Sequence, residues 1–175
     1  PVIFKRHASN LKNKKIKRSW GTVALLGKNT KDSEIKNTNF VGGSGGVYNQ
    51  FKFTSMFSIH NTDNIKITNS KFSDNDVYDD IIHVVYSNNI TFDNVEVHRA
   101  FSDAIDVDIS NNIIFKNILI KNSTNDGLDF MESNAVIENA KIYNSEDKGI
   151  SIGENSNVLI KNSLILNNNI GIAVK

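Results

Sequence analysis

Three stretches, SDAIDVDIS (102–110), NDGLDFMES (125–133) and DKGISIGEN (147–155), repeat one phrase at intervals of 22–23 residues. Apolar residues hold alternate places in each: Ile105 and Val107, then Leu128 and Phe130, then Ile150 and Ile152. The letters between them change, from Asp106 and Asp108 to Asp129 and Met131, and then to Ser151 and Gly153. Strict alternation over so few residues is the period of a β-strand, whose side chains point to opposite faces. The apolar set stays because every copy must bury it. The intervening set is free to build a surface.

The frame extends in both directions. Asp80, Asp103, Asp126, Lys148 and Ile170 open successive units, each beginning an alternating run: IIHVV, AIDVD, GLDFM, GISIG and GIAV. A second apolar run follows in the units that have room for it, as in ITFDNVEV, IIFKNILI, AVIENAKI and VLIKNSLI; MFSIH with IKITNSKF fits the same frame earlier in the chain. Runs this short, bounded by Asn, Ser, Asp and Gly, are not helices, and the chain has a single proline and no helical periodicity. A unit of 22–23 residues with three short strands is one coil of a parallel β-solenoid. The prediction is all-β: about seven coils over residues 21–175, behind a basic leading segment or N-terminal cap at 1–20. VALLG and EIKNTNF read as an early coil, and GGSGG (42–46) as a flexible loop that interrupts the period.

One turn recurs with asparagine: Asn69, Asn94, Asn117, Asn139 and Asn162, with Asn37 heading the column. Asn tolerates the left-handed conformation, and its amide can bond to the next amide in a stack, so an Asn ladder is expected.

Composition narrows the function classes. No apolar run approaches the length of a membrane span, and nothing resembles a nucleic-acid recognition helix or aromatic platform. With no cysteine, disulfides and thiolate metal sites are excluded. A net charge of +1 hides an asymmetry: Lys5, Arg6, Lys12, Lys14, Lys15, Lys17 and Arg18 crowd the first 20 residues, leaving the rest acidic. That segment could grip a polyanion, or simply be solvated. The chain starts without Met and stops one strand into a coil, which suggests a piece of a longer parent protein, with further domains or end-to-end stacking as partners.

The register also sorts the outward residues. One column reads Ser58, His83, Asp106, Asp129, Ser151, Ala173; its neighbour reads His60, Val85, Asp108, Met131, Gly153. Asp106, Asp108 and Asp129 thus share a face with His83 one rung away. Carboxylates this close need a cation, a shared proton or amide donors. As oxygen ligands the three aspartates would suit Ca²⁺, and His83 beside Asp106 is a candidate acid/base. At the strand entrances Asp80, Asp103 and Asp126 form a third column that Lys148 ends; there an aspartate either serves chemistry or caps turn amides. His60, Tyr86 and Glu154 are candidate substrate contacts.

With its Asn column and 22–23-residue units, the chain resembles the right-handed parallel β-helix, pectin-lyase-like superfamily over about residues 20–175. SDAID, NDGLD and DKGISIG resemble the NTD, DD and GHG motifs of polygalacturonase-type glycosidases, which implies Asp103 and Asp126 as acid/base groups. Here Asp126 lacks the partner acid, Lys148 stands in the histidine's place, and no RIK motif follows. SWGTVALLG, SDAIDVD, NDGLDF, DKGISIGE and IGIAV are similar to β-helix modules of bacterial exported or surface proteins, some of which carry CotH-kinase-like domains. That resemblance implies a bacterial, secreted or cell-surface protein.

Two function classes follow. A polysaccharide-active enzyme, with acidic glycan favoured, would use Asp106, Asp129, Asp103, Asp126, His83 and Lys148. As a calcium-assisted lyase it would need Lys148 at a lowered pKa to remove the proton; as a glycosidase, paired carboxyls would serve as acid and base. The alternative is a non-catalytic glycan-binding or structural solenoid.

Overall fold

A computed structural model describes residues 1–6 and 19–175. Among these the chain winds as a parallel β-solenoid of two long sheets, and its helical content is a single 3-10 turn at Lys28–Thr30. No helix is long and apolar enough to cross a membrane.

The repeated phrase builds the first sheet. Its strands, in order, are Val23–Leu26, Ser55–His60, Asp80–Val85, Ile105–Asp108, Leu128–Met131, Lys148–Ile152 and Ile170–Val174, each parallel to the next. Phe57, Ile82, Ile105, Leu128 and Ile150 pair rung to rung, as do Ile59, Val84, Val107 and Phe130. All of these side chains are buried. Both inward columns therefore fall where the alternation places them, and stacked aliphatics supply the core that a solenoid cannot build by layering.

The second sheet returns the chain around the core. Asn88–Ala100 runs through as one long strand, while later turns split into pairs such as Asn111–Lys116 with Leu119–Ser123. It carries aromatic stacks: Phe4, exposed at the end, on Phe40 and Phe40 on buried Phe72 lie nearly parallel, with centroids 4.9 and 4.6 Å apart, and buried Phe92 stacks on Phe115 at 5.0 Å.

All six asparagines of the expected column are left-handed, with φ from 48° to 56°. Asn94 Nδ2 donates to Asn69 Oδ1 at 2.7 Å and Asn139 to Asn117 at 3.3 Å, while Asn117 turns to Asp93 at 2.9 Å. A second ladder, Asn112 to Asn89 to Asn64 to Asp32, runs along another corner. Inside the turn leaving the first sheet, serines form a third column, buried at Ser87, Ser110 and Ser133. The backbone N–H of Ser87 donates to Ser110 Oγ, that of Ser110 to Ser133 Oγ, and that of Ser133 to Ser156 Oγ, at 3.0–3.1 Å. Each hydroxyl gives its own proton to a nearby carbonyl, as Ser110 does to Asp108 O at 2.7 Å. Corner groups that would otherwise be buried without partners are satisfied this way.

About five regular turns lie between Ser55 and Asn169, in place of the seven coils expected. Their rung offsets run from 25 residues down to 22. The turn before them is stretched, with Thr38 and Ser70 32 residues apart, and the one after them is the lone strand Ile170–Val174.

The stretch is an insertion, and it corrects the reading of GGSGG. Gly42–Gly45 are buried, not a flexible loop. A Cβ on Gly43 would sit 2.5 Å from the Trp20 ring and 2.6 Å from Met56, so only glycine fits. The Ser44 N–H donates to Gly21 O and its Oγ accepts the Tyr78 N–H, both at 2.7 Å. On this fixed root stands a hairpin, Gly46–Tyr48 against Phe51–Phe53, the one antiparallel pair among the described residues. The basic leading segment falls mostly on residues 7–18, outside the described residues; ahead of it, Val2–Lys5 adds a strand beside Thr38–Val41. At the far end Ile170, Ile172 and Val174 are exposed.

Candidate active site

The outward residues of three adjacent strands make the site. Register sets His83 opposite Asp106 and Asp106 opposite Asp129, with Val85, Asp108 and Met131 in the neighbouring column. Rungs of a parallel sheet lie about 4.8 Å apart, so the sequence columns become a surface cluster. His83 bonds diagonally and not straight across: its Nε2 is 3.2 Å from Asp108 Oδ2 and 3.7 Å from Asp106 Oδ2. On its other side Nδ1 lies 3.4 Å from Thr54 Oγ1. His83, Asp106 and Asp108 are each largely buried yet still reached by solvent.

Negative charge dominates this face. Burial, and then the neighbouring Asp108, push the Asp106 carboxyl up to about 7, against the opposing pull of His83. Burial alone would lower the His83 imidazole, but its bond to Asp108 and the charges of Asp106, Asp108 and Asp79 raise it. Asp80, only 2% exposed, is pushed up to about 10 by burial and then by the charge of Asp106. Its Oδ1 has no hydrogen-bond partner.

At the strand entrances the aspartates cap turns. Asp103 Oδ1 accepts the Asp126 N–H at 2.6 Å and Asn125 Nδ2 at 2.8 Å; Asp126 Oδ1 accepts the Lys148 N–H at 2.8 Å. Burial still raises both carboxyls, Asp103 to about 7. Lys148 Nζ is held by Asp147 and lies 3.4 Å from both Asp126 oxygens. Its hydrogen bond to Asp147, helped by the charge of Asp126, raises the lysine pKa. A lyase base needs the opposite shift, so Lys148 stands here as a fixed ammonium.

The other candidates scatter. His60 turns inward: its Nε2 is buried without a partner, and the ring packs against Phe53 at 5.3 Å and His83 at 5.1 Å. Burial, then the charge of His83, push that imidazole down to about 4. Tyr86 sits exposed in a left-handed turn at a strand exit, and Glu154 is exposed at the corresponding exit two rungs past Asp108. Both are open to solvent beside the cluster.

Among the described residues, one group has ligand atoms within 4.8 Å of one another, and it is His83, Asp106 and Asp108. These three could hold a metal ion. The expected trio of Asp106, Asp108 and Asp129 does not gather in that way, because Asp108 turns toward His83. Thr54, Asp79 and Asp147 also belong to the site; Asp79 and Asp147 stand in the frame with Ser102 and Asn125 and could have been read there, whereas Thr54 escapes it. Thr54 comes from the insertion, and Asp79 and Asp147 precede the strands they serve.

No curated protein matches the sequence. Among solved structures, a candidate glycosyl hydrolase from Parabacteroides merdae overlays with a TM-score of 0.46 at 11% identity, over 83% of this chain and 80% of that one. The right-handed β-helix region family matches residues 55–175, the span of the regular turns and the closing strand. With its parallel rungs and Asn ladders, the chain belongs to the right-handed β-helix family.

Proposed function

We propose that this protein is a glycan-active module that cleaves a polysaccharide laid across the seven-stranded sheet. The observation that carries the reading is the convergence of Asp106, Asp129 and the His83–Asp108 pair on one partly exposed patch. A strand face offers no turn amides to occupy these carboxyls, so they are free for chemistry. Asp106, held near neutrality, is suited to give a proton to the leaving oxygen. Asp129, its register partner, serves as base or nucleophile. Asp108 orients His83, which supports proton transfer on the same face.

Between the two chemistries, the geometry favours a glycosidase over a calcium-assisted lyase. Lys148 is tied to Asp147 and Asp126, and the clustered metal-ligand set includes an imidazole. Charge also bears on the substrate. With Asp79, Asp103, Asp106, Asp108 and Asp129 acting in one region, a uronate chain would be repelled unless it brought a cation. A neutral glycan therefore fits this face better than an acidic one. A setting outside the cell, where polysaccharide is met, belongs to the same proposal.

A second reading, a non-catalytic glycan-binding solenoid, draws on Asp103 and Asp126, whose carboxyls are already engaged in holding turns. A product assay separates the two. Neutral and acidic polysaccharides are incubated with the protein, with Ca²⁺ or with chelator, and reducing ends and unsaturated uronate are recorded together. Reducing ends alone, lost in Asp106→Asn, fit the glycosidase. Calcium-dependent unsaturated product would replace it with a lyase, and binding without product would leave the solenoid reading.

A further inference from the structure

Two polar side chains beside the acid cluster each carry a buried atom without a partner. Asp80 is 2% exposed with an unbonded Oδ1, and the charge acting on it most strongly is that of Asp106. His60 Nε2 is equally unbonded, its ring set edge-on to His83 at 5.1 Å and 79°. Buried polar atoms without partners are rare, and they ask for a missing one. Next to both stand the three converging ligand atoms of His83, Asp106 and Asp108.

We infer that this cluster is a binding site for a divalent first-row transition ion of the zinc class. The donor set decides the class. One imidazole nitrogen and two carboxylates make the three-ligand arrangement of an open zinc-type site, with positions left for water or substrate. Calcium takes about six to eight oxygens and gains little from an imidazole. The His83 ring is also braced from behind, because Thr54 Oγ1 sits 3.4 Å from Nδ1 and leaves Nε2 to face the two carboxylates. A cation there would relieve the repulsion between Asp106 and Asp108 and give Asp80 a positive neighbour. The site stands independently of the glycan reading. Where both hold, the ion takes the oxygens of Asp106 that would carry the proton, so a bound ion inhibits cleavage.

Isothermal titration and thermal denaturation of the purified chain with Zn²⁺, Co²⁺ and Ca²⁺ test this, together with the visible spectrum of the Co²⁺ complex. One Zn²⁺ should bind per chain and raise Tm by several degrees, with Ca²⁺ at the same concentration leaving it unmoved. The Co²⁺ complex should absorb in the visible, and His83→Gln should remove that band while melting normally without metal. Should His83→Gln fail to fold, Asp108→Asn should still weaken Zn²⁺ at least tenfold. A Co²⁺ band unchanged in the variants, equal stabilisation by Ca²⁺, or no Zn²⁺ isotherm would each overturn the assignment.

Discussion

Asp103 and Asp106 are three residues apart, share a turn of the solenoid and are both held near a pKa of 7 mainly by burial, yet their employment differs. Asp103 lies at the strand entrance, where the next turn presents a backbone N–H at 2.6 Å and an Asn amide at 2.8 Å. Asp106 lies on the strand face, where the backbone is spent on neighbouring rungs and only other side chains remain. The same side chain is structural at one position and free at the other because of what the backbone offers it. Aspartates in a repeat are therefore sorted by their place on the rung, not by their being acidic.

Function should break along that line. Asp106→Asn and Asp129→Asn should each lower product release by about 10²–10⁴-fold, the usual loss on removing a positioned proton donor or its partner. Their melting temperatures should stay close to the parent's. Full activity in either variant, measured as reducing ends released, would dissolve the distinction drawn from the face.

Stability should break the other way. Asp126→Ala strips the acceptor from the Lys148 N–H and one partner from its ammonium. Loss of a buried acceptor costs about 1–3 kcal/mol, which in a chain of this size lowers Tm by roughly 3–10 °C. Asp103→Ala should do the same, since its carboxyl accepts two donors. A thermal melt unchanged in both would move the entrance column into the chemistry.

Asp80 tests the comparison through pH. Its folded pKa, about 10, lies above the ordinary 3.8. Below pH 4 both folded and unfolded chains keep the proton. As pH rises past that, only the unfolded chain sheds it, so stability falls continuously until the folded group titrates near 10. His83, also raised, adds to the fall as its folded form loses its proton. His60, lowered to about 4, works in the opposite sense and only below about 6.5. Comparing Asp80→Asn with the parent between pH 7 and 9 isolates the aspartate. The parent should lose on the order of 2 kcal/mol more than the variant over that window. Parallel Tm curves would show that Asp80 does not hold its proton in the folded protein.

Much of this was legible in the sequence. Ile105, Val107 and their counterparts fix the strand period, and the 22–23-residue step fixes the stacking. From those two facts the inward columns, the Asn turn and the outward columns all follow. The Ser87, Ser110, Ser133 and Ser156 column repeats at the same step and could have been read with them. What the period cannot carry is anything that departs from it. The insertion is aperiodic, so neither the buried GGSGG root nor Thr54 beside His83 could be placed. Columns also say which residues neighbour one another, not which way a side chain leans. That is why His83 turning to Asp108, and Lys148 turning to Asp147, had to be seen.

The smallest effect concerns the corners on which the comparison depends. Asn94 holds φ 53° and donates to Asn69 at 2.7 Å from an exposed position. Asn94→Ala must keep a left-handed backbone that costs an L-residue about 1–2 kcal/mol, and it gives up the ladder bond as well. Asn94→Gly gives up the bond but adopts that conformation freely. If conformation is what the asparagine supplies, glycine should melt above alanine by a few degrees. If the ladder bond supplies it, the two should melt together, below the parent. The expected order is parent, then glycine, then alanine, because an exposed amide bond exchanges with water at little net gain, whereas no solvent can relieve a strained φ.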